Sequence, residues 1–269
     1  MSGFMVFRRL RTLANGGNSY AEVKLLESAI SGDLCIAEID EALFKGVDIN
    51  CAWVKSPTIG SADQTPLITY CSSLQAKSEV VEHLLARGAN ANIKAKYGHT
   101  ALSLLTSGRF SVDRIKILRA LIAAGARPDS VNASGETPLH CLARTGSIEE
   151  ITCLLEVSSK RLVNYAKYVP NGKGYAPLHC AVSASGGPPG QSRVPVIKLL
   201  IEYGADINQK TKGETQKTPL ELAKGELEES ESASAMYQED PHWLKRQKKD
   251  KKEMVGLIRS LGANQSEMK

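Results

Sequence analysis

Aromatic residues make up only 5% of this chain of 269 residues. A core of that composition rests on Leu, Ile, Val and Ala, which suits helices better than a β-sandwich. No run of about 18 or more apolar residues occurs, so nothing reads as a membrane span. Six cysteines stand singly at 35, 51, 71, 141, 153 and 180, with no CxxC among them. Their placement inside apolar helical patterns argues against a disulfide framework and predicts reduced thiols in a cytoplasmic or nuclear protein. The net charge of +5 is too small to argue by itself for nucleic-acid binding.

Catalytic signatures are missing as well. There is no Gly-rich loop ending in GKS/T, no zinc constellation and no nucleophile elbow. The string Gly186-Gly187-Pro188-Pro189-Gly190 has neither that ending nor a strand before it. The expectation is a protein without catalytic residues, cofactor, metal or small-molecule substrate, monomeric on its own. The opening MSGFMVFRRLRTLANGG carries three arginines and no acidic residue. It resembles a short transit peptide, but reads better as a tail or helix covering the first structural unit. Residues 1–19 and 265–269 are set aside as terminal segments.

What the chain does have is self-similarity. Thr65-Pro66-Leu67, Thr100-Ala101-Leu102, Thr137-Pro138-Leu139, Ala176-Pro177-Leu178 and Thr218-Pro219-Leu220 recur at spacings of 35, 37, 39 and 42 residues. Threonine suits an N-cap and proline the first helical position, so each triplet opens a helix. A second helix follows in each unit. Val80, Val81, Leu84 and Leu85 precede Gly88-Ala89; Ile117, Leu118, Leu121 and Ile122 precede Gly125-Ala126; Val196, Ile197, Leu200 and Ile201 precede Gly204-Ala205. Such spacing makes one buried helical stripe, and the glycine beyond it tolerates a left-handed cap.

This order of a TPLH opening, a short helix, a turn, an LL-containing helix and a GADIN ending resembles the ankyrin repeat, whose period is about 33 residues. Gly204-Ala205-Asp206-Ile207-Asn208 matches that ending closely; Val47-Asp48-Ile49-Asn50 and Ala89-Asn90-Ala91-Asn92 are near matches. The resemblance covers about residues 20–264. Six units are read at about 20–50, 63–94, 98–131, 135–171, 174–209 and 215–264. It implies an all-α repeat solenoid, a curved stack of helix pairs with β-hairpin fingers projecting between repeats. Met254, Val255 and Ile258 continue the stripe in the last unit, but Arg259 takes its outermost place. A charge there fits a terminal capping repeat.

His140-Cys141 and His179-Cys180 both fall on the TPLH histidine. Adjacent helical side chains diverge by about 100°, so neither pair shares one ion or forms a thiol–imidazole couple. Stacked pairs offer two ligands where zinc takes three or four. The resemblance implies that these histidines hydrogen-bond the helix-opening turns.

Departures from the pattern carry the functional expectations. The fourth unit ends without glycine, at Ser158, and its longer finger holds Lys160, Arg161, Tyr165, Lys167, Tyr168, Lys173 and Tyr175. The fifth inserts a Gly/Pro-rich loop at 183–195. The sixth inserts residues 225–252, first acidic and serine-rich, then basic, and low hydrophobicity predicts that this segment is mobile. Its Lys245, Arg246, Lys248, Lys249, Lys251 and Lys252 resemble a nuclear localisation signal or a polyanion patch. The same run also fits the solvated face of a lengthened last helix, and the two opposite-charged blocks can fold back on each other. Ser230, Ser232 and Ser234 sit among acidic residues as candidate phosphorylation sites.

The family resemblance implies a non-enzymatic protein-interaction module, an adaptor, inhibitor or complex subunit binding through a concave face and fingers. The positions there are Lys94, Lys96, Tyr97, Arg127, Asn132, Lys167, Tyr168, Lys173, Tyr175, Lys210 and Lys212. Their basic character predicts another protein, acidic at its surface, as partner. The resemblance also implies hairpin asparagines as targets of an iron-dependent asparaginyl hydroxylase. Asn208, with Leu200 eight residues before it, is the better match, and Asn92 the second. Nucleic acid is disfavoured as a partner, because the basic run lacks interleaved aromatics beyond Trp243.

Overall fold

The structure, a computed structural model, describes residues 19–52, 63–107, 113–166, 174–183, 192–212, 216–236 and 242–266. Lys167, Tyr168, Lys173, residues 184–191 and the terminal stretch 1–18 lie outside the described residues. The chain divides into two compact units, 1–132 and 133–269.

In the first unit three helix pairs follow in order: α1 (Tyr20–Ser31) with α2 (Ile36–Phe44), α3 (Pro66–Cys71) with α4 (Ser78–Ala86), and α5 (Ala101–Ser107) with α6 (Arg114–Ala123). First helices pack on first helices, α1 on α3 and α3 on α5, while α2, α4 and α6 form the second row. The second unit repeats the plan with α7 (Pro138–Thr145) and α8 (Ile148–Val157), α10 (Pro177–Val182) and α11 (Val194–Glu202), and α12 (Pro219–Met236) and α13 (His242–Ser266). A one-turn helix, α9 (Lys160–Val163), follows α8. No described helix is long and apolar enough to cross a membrane.

The apolar stripes are the buried faces. Val80, Val81 and Leu84 of α4, Ile117, Leu118 and Leu121 of α6, and Val196, Ile197 and Leu200 of α11 are all buried. Each such side chain contributes about 1.5–3 kcal/mol, and the helices are too short to hold without it. Met254, Val255 and Ile258 of α13 are buried and Arg259 is exposed, so the last helix is apolar on one side only. The second helices end as the glycines require. Gly88 and Gly204 have φ of 93° and 92°, and the next residue reaches back, Ala89 N–H to the Leu84 carbonyl (3.0 Å) and Ala205 N–H to that of Leu200 (2.9 Å). Ser158, without this freedom, stays at φ −90°, and the chain turns into α9 instead.

Two expectations are corrected. The implied β-hairpin fingers are absent as strands among the described residues. Ala95 N–H to the His99 carbonyl (2.8 Å) and Thr211 N–H to that of Lys217 (2.9 Å) are single rungs, where a ladder needs a series. The tips are shaped by side chains: Asp48, Asn90 and Asp206 each accept the N–H two residues on, at 2.9 Å. The insert 225–252, expected to be mobile, is largely helix. Its two charged blocks do fold back, α12 against α13, and Lys251 and Lys252 pair with Glu226 (3.4 Å) and Glu231 (3.3 Å). This pairing is invisible to local hydrophobicity. Ser230 is buried with its hydroxyl donated to the Leu227 carbonyl (2.8 Å), which removes it as a phosphorylation candidate.

Candidate partner-binding fingers

In four of the five TPLH-like helices the side chain of the third residue closes the turn before it; in α3 that residue is Ile68. His140 is 1% exposed. Its Nδ1 accepts the Thr137 N–H (3.1 Å) and contacts the Thr137 hydroxyl (2.8 Å), while Nε2–H donates to the Tyr175 carbonyl (3.0 Å). His179 repeats this one unit on, with the Ala176 N–H (3.1 Å) and the Gln209 carbonyl (3.0 Å). Ser103 and Glu221 fill the same place with shorter reach, accepting the N–H of Thr100 (2.8 Å) and Thr218 (2.7 Å). Burial pushes the His140 imidazole down to about 4, against the pull of the Tyr175 carbonyl, and lowers His179 as well. Both rings are neutral and committed to backbone, and neither has a nitrogen left for a metal or a proton relay.

The cysteines beside them are free thiols, like all six in the chain. Burial pushes Cys51 and Cys71 up to about 12, which keeps both protonated. No group of three potential metal ligands comes together among the described residues.

This architecture has a match: the family model for ankyrin repeats fits three copies to residues 110–211. Over those residues the chain carries ankyrin repeats. It is 31% identical over 145 residues to alpha-latrocrustotoxin-Lt1a of Latrodectus tredecimguttatus, covering 54% of this chain and 9% of that protein. It is 34% identical over 106 residues to human ankyrin repeat and SOCS box protein 3, covering 39% and 18% respectively. To the intracellular phospholipase A2 of Caenorhabditis elegans it is 27% identical over 150 residues, covering 54% and 13%. The chain thus spans a minor part of these relatives. At the coarsest level, ankyrin repeats indicate a protein–protein interaction module.

The ankyrin fingers are tied in series by asparagine. The Asn50 carboxamide donates to the Gly88 carbonyl (3.2 Å) and accepts the Asn90 N–H (2.8 Å). Asn92 does the same with Gly125 (2.9 Å) and Arg127 (2.9 Å), and Asn164 with Gly204 (2.8 Å) and Asp206 (2.7 Å). Each side chain thus staples its own unit to the next finger. Asn92, the second hydroxylation candidate, has both ends of its carboxamide so engaged, while Asn208 is exposed.

On this scaffold Lys94, Lys96, Arg127, Lys210 and Lys212 are exposed, and Asn132 is half-buried. Tyr97 is 57% exposed. It sits in a left-handed conformation at φ 63°, with the Lys96 ammonium 5.1 Å from its ring centroid. Tyr175, expected on the binding surface, is half-buried and stacks on His179 with centroids 5.8 Å apart. Close to it, Lys212 N–H donates to the Gly174 carbonyl (2.9 Å). Gly174 has φ +60°, and a Cβ there would lie 2.7 Å from the Lys212 backbone.

One set of functional cations escapes sequence reasoning. Arg114, Arg193 and Lys251 each stand three residues before a buried stripe, at Ile117, Val196 and Met254. Two donate to carbonyls at the end of a first helix, Arg114 to Thr106 (2.9 Å) and Arg193 to Gly146 (3.0 Å), Leu142 (3.3 Å) and Ala143, and Lys251 donates to the Glu226 carbonyl (2.9 Å) within α12. Arg193 is 2% exposed, and burial pulls its guanidinium down to about 10. Lys251, one of the residues expected in a localisation signal, is thus also a contact of the stack. The common register was the available clue.

Proposed function

We propose that this chain is a non-enzymatic protein-interaction module whose basic finger tips receive an acidic segment of a partner protein. The observation that carries this reading is Tyr97. An aromatic ring standing in solvent on a non-glycine left-handed backbone stores roughly 1–3 kcal/mol of strain. It is the residue type that anchors interfaces, and Lys94 and Lys96 flank it with charge that attracts carboxylates. Arg127 joins the set through the Asn92 staple, which fixes the adjoining finger. Lys210 and Lys212 supply the same chemistry in the second unit. Tyr175 belongs to the support of its finger more than to the contact surface.

The test is a pull-down from cell extract with wild type beside Lys94→Ala/Lys96→Ala/Tyr97→Ser, both shown equally folded by circular dichroism. A protein recovered by wild type and lost from the variant supports the reading. Identical recoveries refute the assignment to this finger. A second role, as substrate of an asparaginyl hydroxylase, is favoured at Asn208 by its exposure; a mass gain of one oxygen located to that residue would establish it.

A further inference from the structure

The helix α13 starts well before its counterparts. Asp250 stands four residues ahead of Met254, as Asp113 stands four ahead of Ile117. The two aspartates do one job: Asp113 accepts the Ser78 N–H (3.3 Å), and Asp250 accepts the Arg193 N–H (3.4 Å). The repeat thus resumes at Asp250, and the helical residues 242–249 are an addition to it. Successive side chains turn by about 100° around a helix. Met254, Val255 and Ile258 are buried, and on the same side Lys251 reaches Glu226 and Asp250 the start of α11. By the same pitch Lys245, Lys248, Lys249, Lys252 and Arg259 fall within about 100° on the opposite side. Four of these are exposed and Lys248 is half-exposed. Gly256 lies in the same row and meets nothing within 4 Å of an added Cβ, so nothing crowds the row at that position.

We propose that this face of α13 binds the phosphate backbone of duplex nucleic acid without reading its sequence. The row is straight and, at 1.5 Å per residue, about 21 Å long. A duplex carries one charge per roughly 1.7 Å of axis, so about twelve phosphates lie along such a length. An extended acidic peptide of that length has about six residues, with alternate ones facing the helix, and offers at most three carboxylates. Lysine, a compact charge on a flexible stem, suits phosphates at variable positions better than planar carboxylate recognition. The lack of aromatics in the row removes the stacking that single strands need, but a duplex does not require it. The Lys252–Glu231 pair, with side chains 61% and 49% exposed, is a solvated contact that a phosphate displaces readily. This surface is separate from the fingers and does not depend on their partner.

Fluorescence anisotropy of a labelled 20-base-pair DNA of mixed sequence, titrated with the full chain at 50–200 mM KCl, tests it. Four or five phosphate contacts predict a slope of log Kobs against log salt near −3.6 to −4.5, a loss of roughly 150–500-fold over that range. Lys245→Gln/Lys249→Gln/Lys252→Gln/Arg259→Gln is expected to weaken binding at least tenfold at 50 mM and flatten the slope to about −1. Lys94→Ala/Lys96→Ala/Tyr97→Ser is expected to leave both unchanged. No binding by wild type at 50 mM KCl overturns the proposal. So does an unaltered slope in the quadruple variant, or equal affinity of the Lys94→Ala/Lys96→Ala/Tyr97→Ser protein for a poly-glutamate peptide at matched salt.

Discussion

Acidifying the protein from pH 7 to pH 4 tests the histidine network directly. His140 has an ordinary imidazole value of 6.5 when unfolded, and burial brings it to about 4 in the fold. The unfolded chain therefore takes up the proton first. The stability held by neutral His140 is complete above pH 6.5, declines as pH falls through the interval, and is gone below about 4. Two and a half pH units at about 1.36 kcal/mol each give roughly 3 kcal/mol lost. The comparison protein is His140→Gln, whose amide offers an acceptor toward Thr137 and a donor toward Tyr175 but does not titrate. Urea unfolding followed by circular dichroism at pH 7, 6, 5 and 4 measures both. Wild type should lose about 3 kcal/mol more than His140→Gln across that range, since carboxylate contributions cancel in the difference. Parallel curves between pH 6.5 and 4 would refute the buried, neutral imidazole.

Three further outcomes follow from the same geometry. Gly174→Ala forces a Cβ into the Lys212 backbone at φ +60° and should cost more than about 2 kcal/mol, whereas Gly204→Ala, with nothing within 4 Å, should cost about 1; equal costs in urea melts would contradict this. Arg193→Met removes the donor shared by three carbonyls at the end of α7 and should destabilise by about 3 kcal/mol, visible as a lowered urea midpoint. Asn164→Ala cuts the staple to Gly204 and Asp206 and should cost about 1–2 kcal/mol. Hydrogen exchange should show faster amide exchange at Asp206, and unchanged exchange there would argue against the staple.

Much of the fold is legible because its signals are local. Thr137 before Pro138 marks a helix start, and Leu84 before Gly88 marks a helix end, each within a few residues. What sequence alone hides depends on partners far along the chain. The finger tips look like hairpins from GADIN alone, but Asn50, Asn92 and Asn164 hold them from the preceding unit, 38, 33 and 40 residues away. The insert looks disordered because its charges are unpaired in one dimension, yet Lys251 meets Glu226 from 25 residues away. Arg193, at the end of a Gly/Pro-rich loop, reads as a surface residue; nothing near it in sequence announces the three carbonyls it serves. In the candidate surface, Lys94, Lys96 and Tyr97 were legible as exposed finger residues. The role of Tyr175 as a support is not legible, because its stacking on His179 arises only when the turn brings the two rings together.

The matched register of Asp113 and Asp250 has a consequence for how such chains change over time. An array of repeats usually gains surface by acquiring whole units, each of which must be compatible with its neighbours. Here α12 runs for 18 residues where other first helices have 6 to 12, and α13 lengthens to meet it. Because the added turns lie beyond Asp250 and Lys251, they can be lengthened, shortened or recharged with the stack left as it was. The last pair is thus a place where new binding properties can be tried without putting folding at risk.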